Sequence, residues 1–328
     1  MFKRKTFFVT GCAGFIGSHV AERLLSLGHL VYGMDNLDPF YSREIKEENL
    51  SILTAYSNFH FEECSLQDLK DSRWVADGVT FDCIIHLAAK AGVRPSIERP
   101  GDYIKSNILG TQAVIDLAEA TQCKDILFAS SSSIYGNLST LPFDEEMNVS
   151  KPISPYAYTK RANELQLFEA HHRLGLNVCC LRFFTVFGPR QRPDLAICKF
   201  IDLIKRGQPI TLYGDGSTRR DYTFVDDIVE GVLSAIRFLA SGASQYEIIN
   251  LGGGNPITLS RMADLLYEKL GKTPKIEYHP MQEGDVNYTH ANTTKAYNLL
   301  RYEPNVSFSK GLDLYIEWLA QHGKHSNI

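Results

Sequence analysis

Short apolar runs alternate with amphipathic stretches through the first half of the chain. Residues 6–10, 30–34, 58–63, 83–88, 125–129 and 177–182 read as strands, and 14–27 and 103–121 between them as helices. The run CIIHLA at 83–88 is apolar throughout instead of alternating, as in a strand covered by helices on both faces of a parallel sheet. Strand–helix–strand units repeated this way predict an α/β fold, a doubly wound parallel (Rossmann) sheet. Beyond about Phe184 glycine and proline become more frequent, as in FGPRQRP and YGDGS, and the apolar runs shorten. The change of rhythm predicts a first domain over 1–184 and a smaller mixed α/β lobe over 185–328. Parts of 225–251, namely 226–238 and 246–251, are expected to return to the first sheet, and a ligand cleft is expected between the lobes.

Composition narrows the class. A chain of 328 residues, 44% hydrophobic and 22% charged, can bury a large core and is not disordered. A net charge of −4 gives no electrostatic footprint for nucleic acid. After the basic start only five strand-like residues precede Gly11, too few for a signal peptide or a membrane span, so a soluble cytoplasmic protein is expected. The seven cysteines include no CxxC, and several lie in apolar runs, which predicts buried, reduced thiols. No HExxH and no Cys/His cluster occurs, His171 and His172 are placed on a polar helix face, and no metal is expected.

The opening VTGCAGFIGSHV sets Gly11, Gly14 and Gly17 between a strand and a helix. The first glycine permits a tight turn, the second lets backbone approach a pyrophosphate, and the third lets the helix pack close to the sheet. The helix N-terminus, with Phe15 and Ile16 in its first turn, favours negative charge. Asp35 closes the second strand 18 residues after Gly17, where a carboxylate can accept both adenosine ribose hydroxyls and repel a 2′-phosphate. NAD is therefore expected over NADP, with Arg43 the one nearby cation against it.

Tyr156 and Lys160 stand in YAYTK behind Ser154, a good N-cap, and Pro155, a good first helical residue. Their i, i+4 spacing puts phenol and ammonium on one helix face. The ammonium and an oxidised nicotinamide are both expected to pull the phenol from its usual value near 10 towards neutrality, making it a general base. Tyr158 instead falls in register with Ala162, Leu165 and Phe168 and is expected in the core or at a helix–helix contact. The serine run 130–133 follows a strand at its C-terminal end, where open α/β sheets hold ligands.

Together these residues resemble the extended short-chain dehydrogenase/reductase family, specifically its NAD-dependent nucleotide-sugar epimerases and dehydratases. GCAGFIG, HLAAKAGV, SSSSIYG, YAYTK, LRFFTVFGPRQRP, RRDYTFVDD and EGD occur in family order over almost the whole chain. The resemblance implies that Ser131 hydrogen-bonds the sugar hydroxyl under oxidation and that Tyr156 takes the 4-hydroxyl proton while C4 gives its hydride to NAD. Lys160 is implied to hold the nicotinamide ribose and lower the tyrosine pKa. Asn36, Ser65, Leu66, Leu87, Ala88 and Ala89 are implied to join the glycine loop and Asp35 around the cofactor. Lys90, Arg94, Ser132, Ser133, Thr185, Arg192, Arg220 and Asp285 are implied to bind the substrate.

Within the family, Arg220 matches the diphosphate-binding arginine and Asp285 the carboxylate at the nucleoside ribose or the arginine clamp, although Gln282 stands where an arginine is usual. Dehydratases carry Asp–Glu, and UDP-glucuronate decarboxylases a glutamate, where this chain has Ser132 and Ser133, so chemistry at C4 alone is implied. TVFGPRQRPD and PMQEGDV are similar to stretches of members that epimerise UDP-glucuronate to UDP-galacturonate, and Thr185 replaces the asparagine typical of UDP-galactose epimerases. A glucuronate carboxylate needs a cation, and Arg192 is the first candidate for a bidentate pair, with Arg94 and Arg190 behind it. The family also implies a homodimer through the 103–121 segment and the helix starting near Tyr156. Open alternatives are a UDP-glucose/galactose or N-acetylhexosamine 4-epimerase, a UDP-glucuronate decarboxylase and a non-catalytic NAD-binding scaffold.

Overall fold

Three sheets organise the computed structural model, which describes residues 4–242, 245–281 and 286–322. In chain order the strands are β1 (Thr6–Thr10), β2 (Leu30–Asp35), β3 (Phe59–Glu63), β4 (Cys83–His86), β5 (Asp125–Ser131), β6 (Asn177–Phe183) and β7 (Thr185–Phe187). There follow β8 (Ile210–Tyr213), β9 (Arg219–Phe224), β10 (Tyr246–Leu251), β11 (Pro256–Thr258) and β12 (Ile276–His279). The main sheet has the order β10-β6-β5-β4-β1-β2-β3, with every neighbouring pair parallel. It is the doubly wound α/β fold that the pattern predicts.

Alternate residues of each strand feed separate cores on the two faces. Phe7, Val9, Val31, Ile85 and Leu181 pack with the helices Phe15–Ser26 and Val225–Leu239. Phe8, Ile84, Ile126 and Phe128 pack with the helices Gly110–Ala120 and Pro155–Leu174. Both faces being dry, the strands have no polar alternation. Strand β10 pairs with β6 at the edge of the main sheet. The smaller sheets, β11-β9-β7 and β12-β8, pack on a third core of their own.

Two expectations are corrected. The 103–121 segment is not one α-helix: Pro100–Tyr103 leads into a wide π-turn, Ile104–Leu109, before Gly110–Ala120. The widened turn turns Asn107 inward, where it hydrogen-bonds both the amide and the carbonyl of Lys90. Nor is the Tyr158 stripe core within this chain, since Leu165 and Phe168 are 54% and 53% exposed. All seven cysteines are free, six of them buried. Among the described residues no helix is long and apolar enough to cross a membrane.

Candidate active site

The carboxyl ends of β1, β2, β4, β5 and β6 open on one cavity of about 380 Å³. Its walls include Gly11, Gly14, Phe15, Ile16, Gly17, Asp35, Asn36, Leu66, Leu87, Ala88, Ala89 and Lys90, and at the other end Ser131, Tyr156, Lys160, Thr185 and Arg192. Just past β4, the Leu87 amide is shared between Thr10 O at 3.3 Å and Thr10 Oγ1 at 3.2 Å, and the Ala88 amide goes to Thr10 Oγ1 at 3.1 Å. From there 87–90 line the cavity.

The glycine loop is shaped by close backbone approach. Gly11 has φ +74°, and a Cβ there would lie 2.8 Å from the Ala88 nitrogen. A Cβ on Gly17 would lie 2.0 Å from the Gly11 carbonyl oxygen. Gly14 caps the helix Phe15–Ser26 without a side chain, and the first turn holds no acid, so its end amides remain available to an anion. Asp35, buried at the end of β2, accepts the amides of Ala13 at 3.2 Å and Leu37 at 2.9 Å, while burial raises its pKa against the pull of Lys46. Arg43 is spent on Glu63, at 2.8 and 3.0 Å, and on Glu47 at 2.7 Å. The open helix end, the narrow glycine cradle and the buried carboxylate at the end of β2 together fit NAD. Ser65, outside the lining, receives a hydrogen bond from Asn36 Nδ2 at 3.4 Å.

The residues expected to move the proton gather at the β5 end. The Ser154 hydroxyl accepts from Ala157 N at 3.1 Å, Pro155 opens the helix Pro155–Leu174, and left-handed Gly175 closes it. Tyr156 and Lys160 sit one turn apart on it; the Ser131 hydroxyl is near enough to act on the Tyr156 phenol and donates to Ser133 Oγ at 3.1 Å. Lys160 Nζ donates to Ala129 O at 2.6 Å and lies 4.6 Å from the Phe128 ring centroid.

Among the groups of the chain itself, burial dominates at the phenol. Burial raises the Tyr156 pKa, opposed by Ser131 and by the charge of Arg192, not by Lys160. Lys160 is itself so desolvated that its pKa falls to about 7, against the pull of Cys180 and Glu164. Beneath it, burial and the Lys160 charge bring His86 to about 3. This neutral imidazole bridges Thr10 at 2.8 Å and Thr111 at 3.1 Å.

The residues expected on the sugar side divide. Arg192 lines the cavity with its guanidinium 5.0 Å from the Phe40 ring centroid, held by Asp194 at 2.9 and 2.6 Å. Lys90 pairs with Asp38 at 2.9 Å. Ser132 and Ser133 open a 3₁₀ turn, Ser132–Tyr135, just outside the lining, and Ser133 N donates to Ser131 Oγ at 3.2 Å. Arg94 is also outside it, stacked 5.1 Å from the Tyr213 ring across the lobes, and Arg190 pairs with Glu22. Arg220 lies on β9 in the smaller lobe, its Nη1 donating to Arg219 O at 3.0 Å. Asp285 and Gln282 lie outside the described residues.

Residues 7–252 match the NAD dependent epimerase/dehydratase family. The chain belongs to it. This epimerase/dehydratase is 41% identical over 317 residues, 96% of each chain, to a UDP-glucuronate 4-epimerase of Thermodesulfobacterium geofontis. Its fold is similar to a UDP-glucuronic acid 4-epimerase from Bacillus cereus in complex with UDP-glucuronic acid and NAD, at TM-score 0.89 and 32% identity over 97% of this chain and 99% of that one. It is also similar to a UDP-glucose 4-epimerase from Thermotoga maritima with UDP-glucose, at TM-score 0.87 and 32% identity over 97% and 100% of the two chains.

Several residues at the epimerase/dehydratase site carried no signal in the sequence pattern. Phe40 and Tyr41 reach the cavity from the loop after β2, and Tyr103 meets Tyr156 edge to face, ring centroids 6.3 Å apart. Asn107 joins the 90 loop to the helix Pro155–Leu174 through Thr159 Oγ1 at 3.0 Å. Nothing in the sequence marks it, since Lys105 and Ser106 beside it are polar too.

Proposed function

We propose that this chain interconverts UDP-glucuronate and UDP-galacturonate by oxidation and return at C4, with NAD as cofactor. Residues 1–184 serve the cofactor and 185–328 the nucleotide sugar. The observation that carries this reading is the meeting of Ser131, Tyr156 and Lys160 at the strand ends with Arg192 close enough to act on the phenol. Bound NAD supplies the hydride acceptor and a positive charge that favours the phenolate. Tyr156 takes the 4-hydroxyl proton, Ser131 steadies the same oxygen, and Lys160 holds the ribose hydroxyls beside it. The 4-keto sugar turns over in the cleft, Tyr156 returns the proton as the hydride comes back to the other face, and the product has the mass of the substrate.

Arg192 stands near C4, and hence near the carboxylate on C5, which it takes in exchange for Asp194. Ser132 and Ser133 put hydroxyls where an acid would be needed to move protons at C5 or C6. Thr185 adds a donor at the sugar, while Arg220 and Asp285 serve the diphosphate and nucleoside end. The named activity of the Thermodesulfobacterium relative and the ligands of the Bacillus complex support this choice over a UDP-glucose epimerase. Exposed Ile104, Leu109, Leu165 and Phe168 on neighbouring helices support a homodimer. Seven free thiols support a reducing, cytoplasmic setting.

The test is product analysis on a panel of UDP-sugars. UDP-glucuronate should yield an isomer of equal mass; a pentose with loss of CO₂, or turnover of UDP-glucose alone, would reject the proposal. Arg192→Ala should lower kcat/KM for UDP-glucuronate by ~30-fold more than for any neutral UDP-hexose. Equal losses on both would remove Arg192 from carboxylate recognition.

A further inference from the structure

The helix that carries Tyr156 and Lys160 presents another polar side chain one turn further on. Glu164 is fully buried and has no part in the chemistry above. Its Oε1 accepts from Ser130 Oγ at 2.6 Å and from Arg182 Nε at 2.9 Å. Its Oε2 accepts from Arg182 Nη2 at 3.0 Å and from Arg161 Nη1 at 2.9 Å. Arg182 uses Nη1 on the Tyr135 hydroxyl at 2.8 Å, and that hydroxyl donates to Asn250 Oδ1 at 2.8 Å. One carboxylate therefore ties the catalytic helix to β5 and β6, and through Tyr135 to the turn after Ser131 and to β10.

The cost and the placement of this cluster argue for a role. A buried ion pair contributes little stability beyond what apolar side chains of similar volume would give. What it adds is direction: apolar packing tolerates small slips, whereas four charge-assisted hydrogen bonds on one carboxylate do not. Ser130 is the residue before Ser131, and Glu164 lies two turns from Tyr156, so the cluster spans the two backbones whose separation sets how closely Ser131 approaches Tyr156. Proton transfer works within about 2.6–3.2 Å between heavy atoms, and a misplacement of about 1 Å can cost ~10²-fold.

We infer that Glu164, acting through Ser130 and Arg182, is a positioning residue that locks the Ser131 end of β5 against the Tyr156 end of its helix for proton transfer at C4. The inference rests on the catalytic reading of Ser131 and Tyr156 given above.

The test compares kcat and KM for UDP-glucuronate in NAD-loaded protein carrying Ser130→Ala, Glu164→Gln, Ser131→Ala or both serine changes. Ser130→Ala should lower kcat about 5–10-fold with KM within about twofold. In the Ser131→Ala background it should cost less than about twofold more, because the contact it positions is already gone. Glu164→Gln should lower kcat further than Ser130→Ala; if it does not fold, the serine series decides alone. Unchanged kcat per NAD-loaded site in Ser130→Ala beside an impaired Ser131→Ala would overturn the positioning role only, as would losses that multiply in the double variant. Full activity of Ser131→Ala would overturn the catalytic reading and this inference with it.

Discussion

Two cations lie buried between the main sheet and the helix Pro155–Leu174, and the protein treats them in opposite ways. Arg182, 1% exposed, has all three nitrogens hydrogen-bonded, a carboxylate in bidentate contact and the Tyr135 ring beneath it. Burial works against its charge, yet Glu164 and Tyr135 hold its pKa above the usual arginine value. Lys160, 3% exposed, has one carbonyl and one aromatic face, and burial brings it to about 7. A guanidinium cannot shed its proton, so it is buried only with full compensation, whereas an ammonium can. The fully compensated charge fixes geometry. The poorly compensated one lines the cavity beside Ser131 and Tyr156, where its proton and its charge can still respond to a ligand.

The largest effect expected from breaking this contrast is on Arg182. Arg182→Met should destabilise the protein by about 3–5 kcal/mol in urea titration, because Glu164 is left charged and buried. A loss below about 1 kcal/mol would mean that the pair is better hydrated than its burial indicates. Lys160→Met should do the reverse in protein stripped of NAD, raising stability at pH 7 by on the order of 1–3 kcal/mol while abolishing turnover.

The sign follows from linkage. With the Lys160 pKa at about 7 in the folded state and about 10.4 in the unfolded chain, the unfolded chain binds more protons between those values. The Lys160 contribution to stability therefore rises with pH across that window. Lys160→Met should lack this rise, and its advantage should shrink as pH climbs from 7 to 10. Identical pH slopes in both proteins would show that Lys160 keeps its proton when folded. The smallest effect belongs to the double variant Arg182→Met with Glu164→Leu, expected within about 1–2 kcal/mol of the parent because both charges leave together.

Features whose cause is local were legible in the sequence. Gly11 and Gly17 are required by contacts within one turn or with the adjacent strand, and Ser154–Pro155 starts a helix through its own side chain and ring. The two-sided burial of β4 follows from an unbroken apolar run. The wide turn at Ile104–Leu109 was not legible, because Asn107 is drawn inward by the Lys90 backbone 17 residues earlier. Nor was the engagement of Arg192 with Asp194 and Phe40, since adjacency in sequence does not say which partner a guanidinium will face.

Tyr156 and Lys160 divide along the same line. Four residues of spacing on a capped helix determined that Tyr156 and Lys160 share a face, because helical geometry is set by backbone hydrogen bonds within a few residues. The state of each group was decided by the fold. Desolvation sums over atoms brought together from distant segments, and it moves the phenol up and the ammonium down. Short-range stereochemistry is written residue by residue; the electrostatic environment exists only once distant segments exclude the water between them.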